Sequence, residues 1–184
     1  MKTQMTIPYF TIDAPYELAY RNNGTSSPAR PHTHNALEIY LTMSDLPDVL
    51  LDDTVSSVSK GSLIIIPPHN VHQLFNQKLT IYERYVLNIN SDWLYTVLGA
   101  GSGLMPYADP AFSPAILRLS PTGLTGLCSQ LDHYLQLHPQ PSLSAYADFF
   151  SLLTVQNVRL CHICIAGLNQ YILHAVLNLS LIHI

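Results

Sequence analysis

Three imidazoles and a carboxylate stand at positions that could hold a metal ion or a small polar ligand. His32, His34 and Glu38 form one cluster, His-x-His-x3-Glu. His72 belongs to a second, Gly61-x5-Pro67-x4-His72-x3-Asn76. Imidazole nitrogen and carboxylate oxygen are common ligands of zinc, manganese, iron and nickel. Three nitrogens and one oxygen leave coordination positions open, and geometry rather than affinity would choose the metal. Both residue types are costly to bury without a partner, yet both clusters sit in an apolar, strand-like background. The same residues also suit a metal-free pocket that hydrogen-bonds an organic ligand.

These groups can meet only if the chain turns between them. On a strand, residues of equal parity share a face, and His32, His34 and Glu38 are all even-numbered. Straight strand geometry would separate His32 from Glu38 by about 20 Å. A turn at Asn35-Ala36 would place Glu38 on the next strand, back beside the histidines. Gly61 permits the turn before the Leu63–Ile66 run, and Pro67-Pro68 stops that run ahead of His72.

The surrounding elements read as a β half followed by an α half. Residues 1–31 are turn-rich and read as an N-terminal arm, with a short strand at Tyr9–Ile12. Strands are expected at Glu38–Met43, Thr54–Ser59, Leu63–Ile66, Val71–Phe75 and Ile81–Ile89. The last places Ile81, Tyr85, Leu87 and Ile89 on one face and Tyr82, Arg84, Val86 and Asn88 on the other. Leu98–Asp109 is Gly-rich and reads as loop. Ser120-Pro121 then opens a helix as cap and first turn. It carries Leu124, Leu127, Cys128, Leu131, Tyr134 and Leu135, and His138-Pro139 ends it. A second helix begins near Ser142 with Tyr146, Phe149, Phe150, Leu153 and Leu160, and a third covers Leu168–Asn178. The expected fold class is α+β: a barrel over 32–118, then amphipathic helices over 119–178.

Composition narrows the function. The chain has 184 residues, 48% of them hydrophobic and 11% charged, with a net charge of -4. Its eight basic residues are scattered, so this chain by itself is a poor match for nucleic acid, whose affinity comes from phosphate contacts. Three cysteines give no disulfide framework. MKTQMTIPYF has no apolar core of a signal peptide, and a cytoplasmic location with reduced thiols is expected. Residues 160–184 carry no charge, but Gly167, Asn169, Gln170, Asn178 and three histidines argue against a membrane span. Cys161-x-x-Cys164 reads as buried helix positions, and Asp132 and His133 as solvated helix surface.

The two clusters resemble the paired motifs of the cupin superfamily, small jelly-roll β-barrels. His32, His34, Glu38 and His72 fall on that superfamily's four metal-ligand positions, and Gly61, Pro67 and Asn76 match its second motif. There are departures: His69 stands where glycine is usual, Gly24 is two residues too far from His32, and Asp45 replaces a closing glycine. The order of an arm, PHTHNALEIYLTM, GSLIIIPPHNVHQ, ERYVLNINSDWL and then helices resembles the effector-binding and dimerisation half of AraC-type transcription regulators. That resemblance implies a non-enzymatic, small-molecule sensor acting as a homodimer, with a sugar among its candidate effectors. DNA would be contacted only by a helix-turn-helix domain that these residues do not contain. Tyr40, Tyr82 and Arg84 are expected to line the barrel and contact the effector. Leu124, Leu127, Leu131 and Leu135, or the Phe149–Leu160 stripe, are expected to pair two subunits. Residues 179–184 look like translated sequencing-adapter sequence. The alternative function is a metal-dependent cupin enzyme, a dioxygenase or sugar isomerase.

Overall fold

Side-chain alternation organises the β half of the chain. The computed structural model describes residues 7–23, 30–75, 81–98, 107, 109–139, 145 and 148–149. The expectations for Gly24, Asn76, Tyr146, Phe150, Leu153, Leu160, the Cys161-x-x-Cys164 pair, the third helix and the 179–184 tail lie outside these residues. The elements run β1 (Tyr9–Phe10), β2 (Tyr16–Asn23), β3 (Thr33–His34), β4 (Ala36–Thr42), β5 (Val49–Leu51), β6 (Thr54–Ser56), β7 (Ser62–Ile66), β8 (His72–Leu74) and β9 (Tyr82–Asn90). They continue with α1 (Ser91–Leu98), β10 (Ala115–Arg118) and α2 (Pro121–Leu137).

Five strands form the larger sheet in the order β10-β7-β4-β9-β2, and β6-β5-β8 form a smaller one. Neighbours within both are antiparallel. β1 pairs with β3 in parallel. Even-numbered residues of β4, β7 and β9 point to the inside. Tyr40, Ile64, Ile66, Tyr82 and Val86 meet Val49, Leu51 and Leu74 of the smaller sheet there. Odd-numbered residues point the other way. Leu37, Leu41, Leu63, Ile65, Tyr85 and Ile89 pack against Leu94 of α1 and Leu131 and Tyr134 of α2. The molecule is therefore layered as small sheet, large sheet and helix, with apolar contact on both faces of the large sheet.

The ladders differ from a single closed ring. Among the described residues they remain separate sheets, tied at one end by a bridge between His32 and His72. The arm also differs from expectation. Tyr16–Asn23 is a full strand of the large sheet, paired with β9 over its whole length. Its Tyr16, Leu18 and Tyr20 alternate with Glu17, Ala19 and Arg21, a partial half-buried strand pattern obscured by the turn-rich sequence on both sides.

The first turn of α2 follows local chemistry. Ser120 is extended (φ -68, ψ 155), and its hydroxyl accepts from the Gly123 N–H at 3.1 Å. Pro121 fills the first helical position, where no N–H is needed. At the other end the His138 N–H donates to the Tyr134 carbonyl. Leu131 is buried, and Leu124, Leu127 and Leu135 pack partly buried against the same cluster. The stripe expected to pair two subunits therefore contacts the chain's own sheet. Phe149 is fully buried there too, stacked on Tyr16 at 3.7 Å between ring centroids.

Candidate metal and ligand centre

Three short segments bring the polar groups together. β3 and β4 are separated by a bend at Asn35, so His34 and Glu38 lie close although they occupy different strands. Glu38 pairs in register with Ile66 on one side and Asn88 on the other. His72 opens β8 after the Pro67-Pro68 corner. That corner needs a left-handed residue, and His69 supplies it with φ 67, at the position where the motif usually has glycine. Its backbone N–H donates to the His34 carbonyl at 2.8 Å. Gly61, at φ 80, makes the corresponding turn before β7 and donates its N–H to the Thr42 carbonyl.

His34, Glu38 and His72 form one buried cluster whose potential ligand atoms all lie within 4.8 Å of one another. The Glu38 carboxylate accepts from His34 Nε2–H at 3.2 Å. The same oxygen lies 2.9 Å from His72 Nε2. That nitrogen has no other hydrogen-bond partner among the described residues. His32 stays outside the cluster, half-buried, with its ring 4.2 Å from His72 and 6.2 Å from His34.

The proton positions follow from the partners. His72 Nδ1 and His32 Nδ1 each face a backbone carbonyl, of Asn70 at 3.0 Å and Arg30 at 2.9 Å, so both carry hydrogen and donate. His72 Nε2 then presents a lone pair to a carboxylate oxygen 2.9 Å away. Two acceptors at that distance repel unless a proton or a cation lies between them. In the metal-free protein a proton does this. Burial alone would lower the His72 imidazole, but Glu38 raises it above its ordinary value. Burial would likewise raise the Glu38 carboxyl, yet His34 and His72 hold it far below the usual carboxylate range. Burial lowers the His32 imidazole below its ordinary value.

A divalent cation fits the same place. Metal bonds of about 2.1 Å at right angles put neighbouring donors about 3 Å apart, close to the 2.9 and 3.2 Å found here. Bound there, the cation would supply Lewis acidity and open positions for a ligand. His34, Glu38 and His72 would hold it, and binding would release the proton now shared by the cluster.

Beyond the cluster, polar groups continue along the inner face. Tyr40, one strand step from Glu38, is buried, and its phenol is pushed well up by burial and by the Glu38 charge. Arg84 is also buried, its guanidinium 4.6 Å from the Tyr82 ring and 5.5 Å from the Tyr40 ring. The three expected effector-contacting residues thus share the inside face. One interior residue not singled out in the sequence is Asn88. Its parity with Tyr82, Arg84 and Val86 was the available signal. Two exposed aromatics of β1 also reach the rim, Tyr9 stacked on His69 and Phe10 edge-on to His32.

No protein-family model and no curated protein matches the chain. Among solved structures it is similar to a cupin 2 conserved barrel domain protein from Salinispora arenicola, at 20% identity and TM-score 0.38, over 50% of this chain and 78% of that one. It is also similar to ToxT from Vibrio cholerae, at 8% identity and TM-score 0.48, over 82% of this chain and 57% of that one. A third likeness is to the salicylate 1,2-dioxygenase of Pseudoaminobacter salicylatoxidans, at 15% identity and TM-score 0.38, over 70% and 43%. No helix among the described residues is long and apolar enough to cross a membrane.

Proposed function

We propose that this chain is the small-molecule-sensing domain of an AraC-type transcription regulator, with its effector held between the two sheets. The observation that carries the reading is the inside face itself. Polar groups run along it from His34–Glu38–His72 through Tyr40 to Arg84 and Tyr82, flanked by the apolar Val49, Leu51, Ile64 and Val86. Such a face suits a ligand that carries both polar groups and apolar surface. The order of the sequence motifs, with α2 layered on the outer face, supports a regulator over a free-standing enzyme. In this reading two copies associate, and DNA is contacted by a separate domain. Because the α2 leucines pack inward, a second copy would meet other surfaces of the helical layer.

A library of sugars, aromatic acids and other small metabolites, screened by thermal shift on the EDTA-treated protein, tests this. One chemical class should raise the melting temperature, since a ligand that binds only the folded state stabilises it. Arg84→Met should abolish that rise. The metal-capable cluster favours a second reading, a metal-dependent enzyme. Stoichiometric iron or manganese after purification, together with oxygen consumption or sugar isomerisation that His34→Ala abolishes, would establish it and overturn the sensor.

A further inference from the structure

We propose that Asn88 is a ligand-contacting residue of the centre, its amide oxygen meeting a divalent cation held by His34, Glu38 and His72, directly or through a water on that cation. The inference rests on reading the cluster as a binding centre. Asn88 sits on β9 as the register partner of Glu38, so the two side chains rise from one row on the inner face, with Cβ atoms about 5 Å apart. Its Oδ1 is buried and has no hydrogen-bond partner. Residues nearby show that the row does not require an amide. Ile66 occupies the opposite side of Glu38, and Val86 takes the same face one strand step earlier. A buried acceptor with nothing to accept from is destabilising, and a leucine or valine would pack there without that cost. An amide oxygen is, by contrast, a good donor to a hard divalent cation and a good acceptor from its bound water.

The two roles separate experimentally. The full chain, stripped with EDTA, is titrated with Co(II) and followed by calorimetry and visible absorption, for wild type, Asn88→Leu, Asn88→Asp and Glu38→Ala. Circular dichroism checks that each folds. Asn88→Leu should bind Co(II) about tenfold more weakly or worse. Without metal it should melt about 2–4 °C higher than wild type, because the unpartnered acceptor is gone. Asn88→Asp keeps the oxygen and should bind at least as tightly as wild type. Asn88→Leu binding within twofold of wild type overturns the proposal. So does a lower metal-free melting point, which marks an amide serving the fold, and so does Asn88→Asp binding no better than Asn88→Leu. If Glu38→Ala abolishes binding and Asn88→Leu does not, only the Asn88 assignment fails. If wild type itself takes up no Co(II), the centre fails with it.

Discussion

Removing both imidazoles from Glu38 should destabilise the metal-free protein in a way that grows with pH. In His34→Leu/His72→Leu the carboxyl keeps its burial and loses the two groups that hold it ionised. It then has two choices, to remain a desolvated charge or to take up a proton. Protonating a carboxyl of ordinary value 4.5 at pH 7 costs about 3.4 kcal/mol. At pH 5 the same step costs about 0.8 kcal/mol. In wild type Glu38 is held low, so its contribution is complete above about 4.5 and disappears only as pH falls through that range. His72 is held high, so its contribution is complete below about 6.5 and fades as pH rises beyond it, removing up to about 0.8 kcal/mol from wild type by pH 7. The difference between wild type and the double variant should therefore increase by about 2 kcal/mol from pH 5 to pH 7. Loss of packing at the two leucines does not depend on pH and drops out of that comparison. Urea denaturation in EDTA at both pH values measures it. Equal differences at pH 5 and pH 7, or a larger one at pH 5, would refute the reasoning.

Other outcomes follow from the same geometry. Co(II) affinity should fall about tenfold for each pH unit below the raised His72 value, because binding displaces that proton; a flat affinity between pH 5 and pH 7, read by calorimetry, would contradict it. Leu131→Ala should lower stability by about 2–5 kcal/mol, since the side chain is buried between α2 and the large sheet, and a change below 1 kcal/mol in urea denaturation would place α2 elsewhere. Ser120→Ala removes the cap of α2 and should cost about 1 kcal/mol, measured the same way, with no cost indicating a frayed first turn.

Much of the centre was legible because its signals are local. The parity of His34 and Glu38, the need for a turn near Asn35, and the alternation of Tyr82, Arg84, Val86 and Asn88 all follow from strand geometry. The Ser120-Pro121 helix start was equally readable, since a cap and an N-terminal proline act within one turn. Long-range pairing was less so. Nothing within Tyr16–Asn23 reveals that it completes the sheet beside β9, and short β5 and β10 are strands only because partners accept their backbone groups. Helix periodicity identified the α2 stripe but not its partner, because a leucine stripe is the same whether it meets its own sheet or another subunit. His32 illustrates the same limit. Its spacing put it with His34, while its Nδ1 bond to the Arg30 carbonyl and its place at the rim leave it outside the tight cluster.

The most direct measurement is an anomalous-difference map at the cobalt edge from a crystal soaked in Co(II). A peak within about 2.1 Å of His34 Nε2, His72 Nε2 and a Glu38 carboxylate oxygen is the expected result. A peak only at the surface, or side chains at these three positions turned away from one another, would contradict the centre.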